Sequence, residues 1–541
     1  MGGKISSRAG IVIKYPNAVN LPESGAALPL PEHDALRWTN LVKKVQKESN
    51  VKLKIRPLFS HIDPKKLSAL ADLARAKDGR SHGAHVTPRF QNYLWVSFIG
   101  AQGTNATAKQ DILRIAGECA AEINNWRGVE RAYVRLEDKP AGLAQQANPI
   151  RLETVVASKQ NVKHKCANHV HLDAAPTGVR AEGIWDYAGG DGTGQSFVDI
   201  EHSWYLKHVD LKKGGSEFAK FDGSNGGTMD VDKGHGTSVL GIVFGNQNSR
   251  GMTGIAPNIS TATVISTWSD PEPLPTAEAV MLAAALHLKP AAAPAPVGGF
   301  VLDTNVVVLI ELQAVVVGSD YNFPVEVYSE TFAAIKALSD AGITVVEPAG
   351  NGSLADSGAA YSAVDLDSLE KFIPAADRPP GLKALYRPQT GASVSNPVAS
   401  ALLPFVDSGA IMVGMGRRVT NGQPPHWVCD QDSNFGSRVD CFAHGSKVCA
   451  PSYSSVTKPP TYDHVFDGTS AASAIIAGAA LCLKGVAQNA NPIIPLDAYQ
   501  VRSILSDRNL GTKILGGATN KIGVMPDLAA ILAAAVNTWA P

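Results

Sequence analysis

From about residue 180 onward the chain alternates short β-rich apolar runs with alanine-rich stretches of helical period, and this alternation limits the fold more than any other feature. SFVDI at 196–200, TATVI at 261–265, VVVLIEL at 306–312 and ITVVEPAG at 343–350 read as strands. Residues 277–288 and 329–341 read as helices. Strands and helices in that order form a sheet covered by helices on both faces. The expected fold class is α/β, with a mainly parallel central sheet flanked by helices. No repeat of 20 to 50 residues is evident, so a solenoid or propeller has little support.

A smaller α/β unit is expected ahead of it. Strand patterns at 51–59, 93–99 and 129–136 alternate with helical patterns at 64–76 and 108–123. Residues 136–149 then lose periodicity and gain polar, Pro and Gly residues, as a connector does. The expected divisions are an irregular leader at 1–45, the small unit at 46–138, a linker at 139–179 and the main domain at 180–541.

The chain carries 49 Lys+Arg against 49 Asp+Glu, which gives no global electrostatic case for nucleic acid as partner. With 44% hydrophobic and 18% charged residues it is not a disordered polyelectrolyte. The first twenty residues lack the apolar centre of a signal peptide, so the expectation is a cytoplasmic or nonclassically exported protein. The apolar run 301–310 contains Asp303 and Asn305, which suits a buried strand better than a membrane span, and no transmembrane segment is expected. Six cysteines are too few for a disulfide scaffold, although Cys429, Cys441 and Cys449 are close enough for one local bridge. His426 and His444 nearby do not complete a zinc spacing.

Four positions carry chemistry. Asp199 ends an apolar strand, and the carboxyl ends of parallel strands face the crevice of an open α/β sheet. His235 lies between Gly234 and Gly236, just before a helical pattern. Ser470, in GTSAAS, stands at the start of a small-residue helix, where unpaired backbone N–H groups can meet a developing oxyanion. Taken alone, Ser470 reads more readily as a helix cap than as a nucleophile. Asn351, in PAGNG, closes a strand with an amide that can donate to the same charge, and is also an ordinary turn residue.

Asp199 in VDIE, His235 in GHGTS, Asn351 in PAGNG and Ser470 in GTSAAS, in that order, resemble the subtilisin-like serine peptidases, or subtilases. The resemblance covers about residues 180 to 535. It implies a serine endopeptidase working through an acyl-enzyme, with Ser470 as nucleophile, His235 as general base, Asp199 orienting His235, and Asn351 with the Ser470 backbone N–H as oxyanion hole. Peptide ligation or cyclisation, and a peptide-binding module of weak turnover, are the alternatives. It implies extended polypeptides as substrates, and 46–138 resembles the family's propeptide, an intramolecular inhibitor. No cofactor is required for that chemistry, and structural Ca2+ is a family-level expectation.

Several residues depart from the pattern. Glu201 follows Asp199 where relatives have DTG, and His202 and His208 read as solvated residues at the strand exit. Asp210 is expected to be structural. Ala474 replaces a customary proline, Glu347 is expected to face solvent, and LIELQ at 309–313 replaces a glycine-containing substrate-binding edge.

Overall fold

The computed structural model describes residues 9–22, 28–49, 51–76, 88–99, 106–141, 169–211, 219–221, 230–248, 251–268, 273–291, 299–353, 362–373, 408–420, 425–453, 461–490, 493–515 and 521–538. The expected linker at 139–179 therefore falls largely outside the described residues.

The N-terminal unit runs β1 (Ala9–Lys14), α1 (Glu32–Ser49), β2 (Lys52–Pro57), α2 (Pro64–Ala76), β3 (Tyr93–Ile99), α3 (Ala106–Asn124) and β4 (Arg131–Leu136). Its four strands pair antiparallel in the order β2-β3-β1-β4. Two expectations fail here. Residues 9–14 are not leader but a central strand, and residues 32–49 are a helix. The strand AGIVIK is short and lies far from its partners in sequence, so its pairing rests on tertiary contacts that local pattern does not carry.

Alternation along these strands divides the unit between two cores. Ile11, Ile13, Leu94 and Val96 point to one face and pack with Trp38, Leu41 and Val45 of α1 and Ile115, Ala116 and Ile123 of α3. Val12, Tyr93, Trp95 and Tyr133 point to the other, and with Leu67 and Leu70 of α2 join the core of the main domain.

A two-residue strand, β5 (Lys139–Pro140), leaves this unit. The main domain follows with β6 (Ser196–Glu201), β7 (Ala219–Phe221), α4 (Asp230–Phe244), β8 (Thr261–Ser266) and α5 (Thr276–Leu286). A hairpin of β9 (Leu288–Pro290) and β10 (Phe300–Leu302) precedes β11 (Val306–Ile310), so the run 301–310 is two strands broken at Asp303. Next come β12 (Leu312–Val315), β13 (Asn322–Pro324), α6 (Ser329–Ala341), β14 (Thr344–Pro348), β15 (Ile411–Val419), β16 (His426–Cys429) and β17 (Cys441–His444). The chain ends with β18 (Val448–Ser452), β19 (Thr461–Phe466), α7 (Thr469–Asn489), α8 (Ala498–Leu505), β20 (Gly511–Lys513), β21 (Val524–Pro526) and α9 (Leu528–Thr538).

The central sheet has the order β20-β21-β17-β15-β14-β11-β6-β8-β7, with β16 also paired to β15. From β21 to β7 the pairs are parallel, and the β20 and β16 pairings are antiparallel. The expected mainly parallel sheet is present. Helix α7 is long and apolar enough to cross a membrane, yet it runs through the core. Small residues allow the close approach: a side chain at Gly478 would meet Ile255 at 2.5 Å.

Buried charge supports the sheet. Arg438, without exposed surface, donates to both Glu326 carboxylate oxygens at 2.7 and 2.9 Å and to Asp440 at 2.8 Å. Glu347 lies 3.9 Å from the same guanidinium and is fully buried, contrary to the expected solvent position. Burial, reinforced by the charge of Glu326, raises its carboxyl well above the usual range. The local cysteine bridge does not form either, since Cys429 and Cys441 are not disulfide-bonded while Cys449 is.

Candidate active site

β6 and β11 pair in parallel, and each ends at the same edge of the sheet with a glutamate at or just beyond its last residue, Glu201 and Glu311. α4 and α7 pack over that edge and supply His235 and Ser470. Residues 235 and 470, far apart in sequence, meet there: Nε2 of His235 lies 3.0 Å from the Ser470 Oγ.

On its other nitrogen the imidazole meets Glu201. Nδ1 of His235 is 2.5 Å from Oε2 of Glu201, whose Oε1 accepts the His202 N–H at 2.8 Å. Asp199, the acid expected from the sequence, lies two residues back on the same face of β6. Its Oδ2 accepts from Nε1 of Trp204 at 2.7 Å, and its Oδ1 is buried without a partner. Two residues of strand place Asp199 ~6.5 Å behind the edge. Glu201, at the edge and one methylene longer, reaches the imidazole that Asp199 does not.

The glycines of GHGTS sit within α4 rather than in a turn. Gly236 is required by packing, because a side chain there would lie 2.3 Å from the Ser203 carbonyl oxygen. Gly468 caps α7 with φ of 114°, so Ser470 is the second helical residue and not the cap. Ala474 continues that helix with no exposed surface.

Asn351 is held between Gly350 and Gly352, both at positive φ. Its Oδ1 accepts the Thr469 N–H at 2.9 Å and the Thr469 hydroxyl at 2.7 Å. Its Nδ2 is thereby turned toward the cleft, where it donates to the carbonyl oxygen of Ala141.

Residues 138–141 lie in this cleft, with Lys139 and Pro140 as strand β5. β5 pairs antiparallel with β12, placing Pro140 opposite Leu312 and Lys139 opposite Gln313. The Ala141 N–H donates to the Glu311 carbonyl at 3.2 Å, and the amide of Gln313 donates to the Pro140 carbonyl at 3.2 Å. His202 is not solvated: it is buried, with Nε2 3.0 Å from the Asp138 carbonyl oxygen. His208 is buried against the ring of Tyr462. Asp210 is structural, accepting from Tyr462, Met252 and Asn248.

Burial dominates the electrostatics. It lowers the His235 imidazole below its ordinary value, against the opposing charges of Glu311 and Asp232. It raises the Glu201, Asp199 and Glu311 carboxyls well above the carboxylate range. For Glu201 the His202 N–H works in the opposite direction. Of these three buried carboxyls, the one in contact with His235 is Glu201.

A family model described as Peptidase_S8, the subtilase family, matches residues 198–515. The chain belongs to the subtilase family. No curated protein matches it. Fervidolysin from Fervidobacterium pennivorans, a keratinolytic enzyme related to subtilisin, is similar in structure at a TM-score of 0.50 and 14% identity. That match covers 98% of this chain, which spans 62% of the fervidolysin chain. Proteases from Pseudoalteromonas arctica PAMC 21717 match at TM-score 0.42 and 20% identity, over 68% of this chain and 97% of theirs. The MycP3 protease of the type VII (ESX-3) secretion system matches at 0.40 and 20%, over 70% and 91%.

Among the described residues no group of three or more His, Cys, Asp and Glu is arranged to hold a metal ion.

Proposed function

We propose that this subtilase is a serine endopeptidase with Ser470 as nucleophile, His235 as general base and Glu201, in place of Asp199, as the orienting acid. Asn351 and the Ser470 backbone N–H form its oxyanion hole. Residues 9–141 act as its pro-segment, with Ala141–Gly142 as the bond it cuts in its own chain.

One observation carries the reading. Asn351 donates to the Ala141 carbonyl in the same site where the Ser470 hydroxyl is bonded to His235. An extended segment paired on β12 with one carbonyl at the oxyanion donor is bound as a substrate. Ser470 Oγ attacks the Ala141 carbonyl carbon as Nε2 of His235 takes its proton. Glu201 stabilises the imidazolium through Nδ1, and Asn351 meets the negative charge on oxygen. Collapse passes the proton to the Gly142 nitrogen and breaks the bond, leaving an acyl-Ser470 ester that water hydrolyses.

The N-terminal unit is anchored beside this cleft by charges. Arg56 pairs with the buried Glu278 on α5 at 3.1 Å, and the His61 N–H donates to the same carboxylate at 2.7 Å. Arg135 donates to the buried Glu330 on α6 at 3.1 Å and stacks 3.8 Å from the centre of the Tyr328 ring. These contacts survive cleavage of one bond, so a cut pro-segment stays as an inhibitor.

Expression of the full chain beside Ser470→Ala tests both parts. The expected result is a new N-terminus at Gly142 in the wild type alone, with Ser470 labelled by a fluorophosphonate. Digestion of a peptide library by the matured enzyme should give new termini. Joined peptides without new termini would make it a ligase, and absence of labelling in a folded, matured chain would overturn the enzyme reading.

A further inference from the structure

We propose that Gln313 is a substrate-contacting positioning residue, one that reads the carbonyl of the second residue before the cut bond and, through it, fixes the oxyanion donor Asn351. This rests on the peptidase reading above. Gln313 belongs to β12, whose backbone pairs with Lys139, and it is almost fully buried. Its side chain has two ends and uses both. Nε2 donates to the Pro140 carbonyl at 3.2 Å, and Oε1 accepts the backbone N–H of Asn351 at 3.0 Å. The partners settle the orientation of the amide, since a carbonyl accepts only and an N–H donates only.

The link matters because of what else holds Asn351. Thr469 fixes its Oδ1 from the nucleophile's helix, but the backbone on either side is Gly350 at φ of 97° and Gly352 at φ of 57°. Glycine on both sides gives this loop little intrinsic stiffness. The Gln313 amide supplies a backbone anchor, and the other end of that amide is satisfied by the bound peptide. With the second carbonyl in place, one buried amide spans from substrate main chain to oxyanion donor. Without it, Nε2 loses the Pro140 acceptor and the anchor on Asn351 loosens.

The coupling reads main chain and not side chain, so it selects for an extended peptide of sufficient length rather than for a sequence. It also belongs to kcat. An interaction that positions the oxyanion donor acts on the transition state, whereas a simple binding contact would appear in KM.

The test compares two fluorogenic peptides containing Asp-Lys-Pro-Ala-Gly, identical except that one carries a thioamide at the Pro–Ala link, which keeps the N–H but weakens the acceptor. Matured wild type, Gln313→Ala and Gln313→Met are measured with both. For the wild type, kcat should fall about tenfold on the thioamide with a smaller change in KM. Both variants should lose about tenfold in kcat on the normal peptide and no longer distinguish the two, which is the signature of a closed double-mutant cycle. Variants that discriminate as strongly as wild type, or a wild-type thioamide effect confined to KM, would overturn the proposal. Should neither variant fold, the wild-type kcat ratio still decides, since a ratio near one overturns it. No turnover of the normal peptide and no fluorophosphonate label on wild-type Ser470 would instead remove the peptidase reading, and this proposal with it.

Discussion

Asp199 and Glu201 project from the same face of one strand, two residues apart, and Glu201 is the one whose carboxylate lies 2.5 Å from His235. The difference is one of position along the strand. The imidazole stands over the sheet edge, where Glu201 is the last residue of β6, while Asp199 lies behind it against the indole of Trp204. The proposed triad thus uses the longer acid at the end of the strand, and leaves the shorter one as a hydrogen-bond acceptor behind it.

Exchanging the two carboxyls separately should therefore give unequal results. Glu201→Gln should lower kcat by about 10⁴-fold, the loss seen when the orienting carboxylate of a serine triad becomes an amide. Asp199→Asn keeps an acceptor for Trp204 and, because burial already disfavours charge on Asp199, should cost less than about tenfold. Steady-state kinetics on the matured variants check this. Equal losses, or a larger loss at Asp199, would return the acid to Asp199.

Much of this was legible before the structure. The helix at 329–341 coincides with α6, and the strands at 196–200, 261–265 and 306–312 fall on β6, β8 and the β11–β12 pair, because each has a strong local period. His235, Ser470 and Asn351 stand out together through the subtilase resemblance, and the structure brings the three to one cleft. Which carboxyl meets His235 was not legible, since VDIE offers two on one face of the strand. β1 escaped notice because its partners β3 and β4 lie about 80 and 120 residues away. Glu347 was misplaced because its burial depends on Arg438, which no local pattern joins to it. Gln313 gave a signal only as a departure from a glycine-containing edge.

Glu311 sits just past the end of β11, its N–H bonded to the Ile200 carbonyl, and its role is distinct from that of Glu201. Its Oε1 accepts the Ser473 hydroxyl at 2.7 Å, while the same hydroxyl lies 3.0 Å from the Ser470 carbonyl oxygen. Burial raises this carboxyl well above its ordinary range, which disfavours its charged form. Glu311→Gln retains an acceptor for Ser473 and should keep kcat within a few-fold. Glu311→Ala leaves that hydroxyl without its partner beside a new void and should destabilise the protein by about 2–4 kcal/mol in urea unfolding. A Gln variant as damaged as the Ala variant would show that charge at 311 is needed.

His444 gives the fold a pH dependence on the acid side. It packs edge-on against Trp427 with ring centres 5.2 Å apart, and its Nδ1 is buried without a partner. Burial, with a smaller contribution from Arg418, pushes it down to about 4 from 6.5. The unfolded chain therefore binds a proton between these values that the folded chain refuses. Its stabilising contribution is complete above pH 6.5 and is lost as pH falls toward 4, amounting to at most about 3 kcal/mol. His444→Phe should flatten urea midpoints measured across that window, and an unchanged slope would show that another group carries it.

Lys484 should work in the opposite range. It lies on α7, almost fully buried beside a cavity of about 490 Å³ lined by Asn305, Gln488, Ile493 and Asp497. Burial lowers its amine to about 8 from 10.5, although Asp497 and Asp303 pull the other way. Below pH 8 both folded and unfolded chains hold the proton, and the folded chain bears the full desolvation cost, on the order of 3 kcal/mol. Between 8 and 10.5 the unfolded chain binds more protons, so wild-type stability should rise with pH there. Lys484→Met fills the same space without charge. It should raise the unfolding midpoint at pH 7 and remove the rise above pH 8, whereas a midpoint below wild type at pH 7 would mean that the ammonium is stabilised in the fold after all.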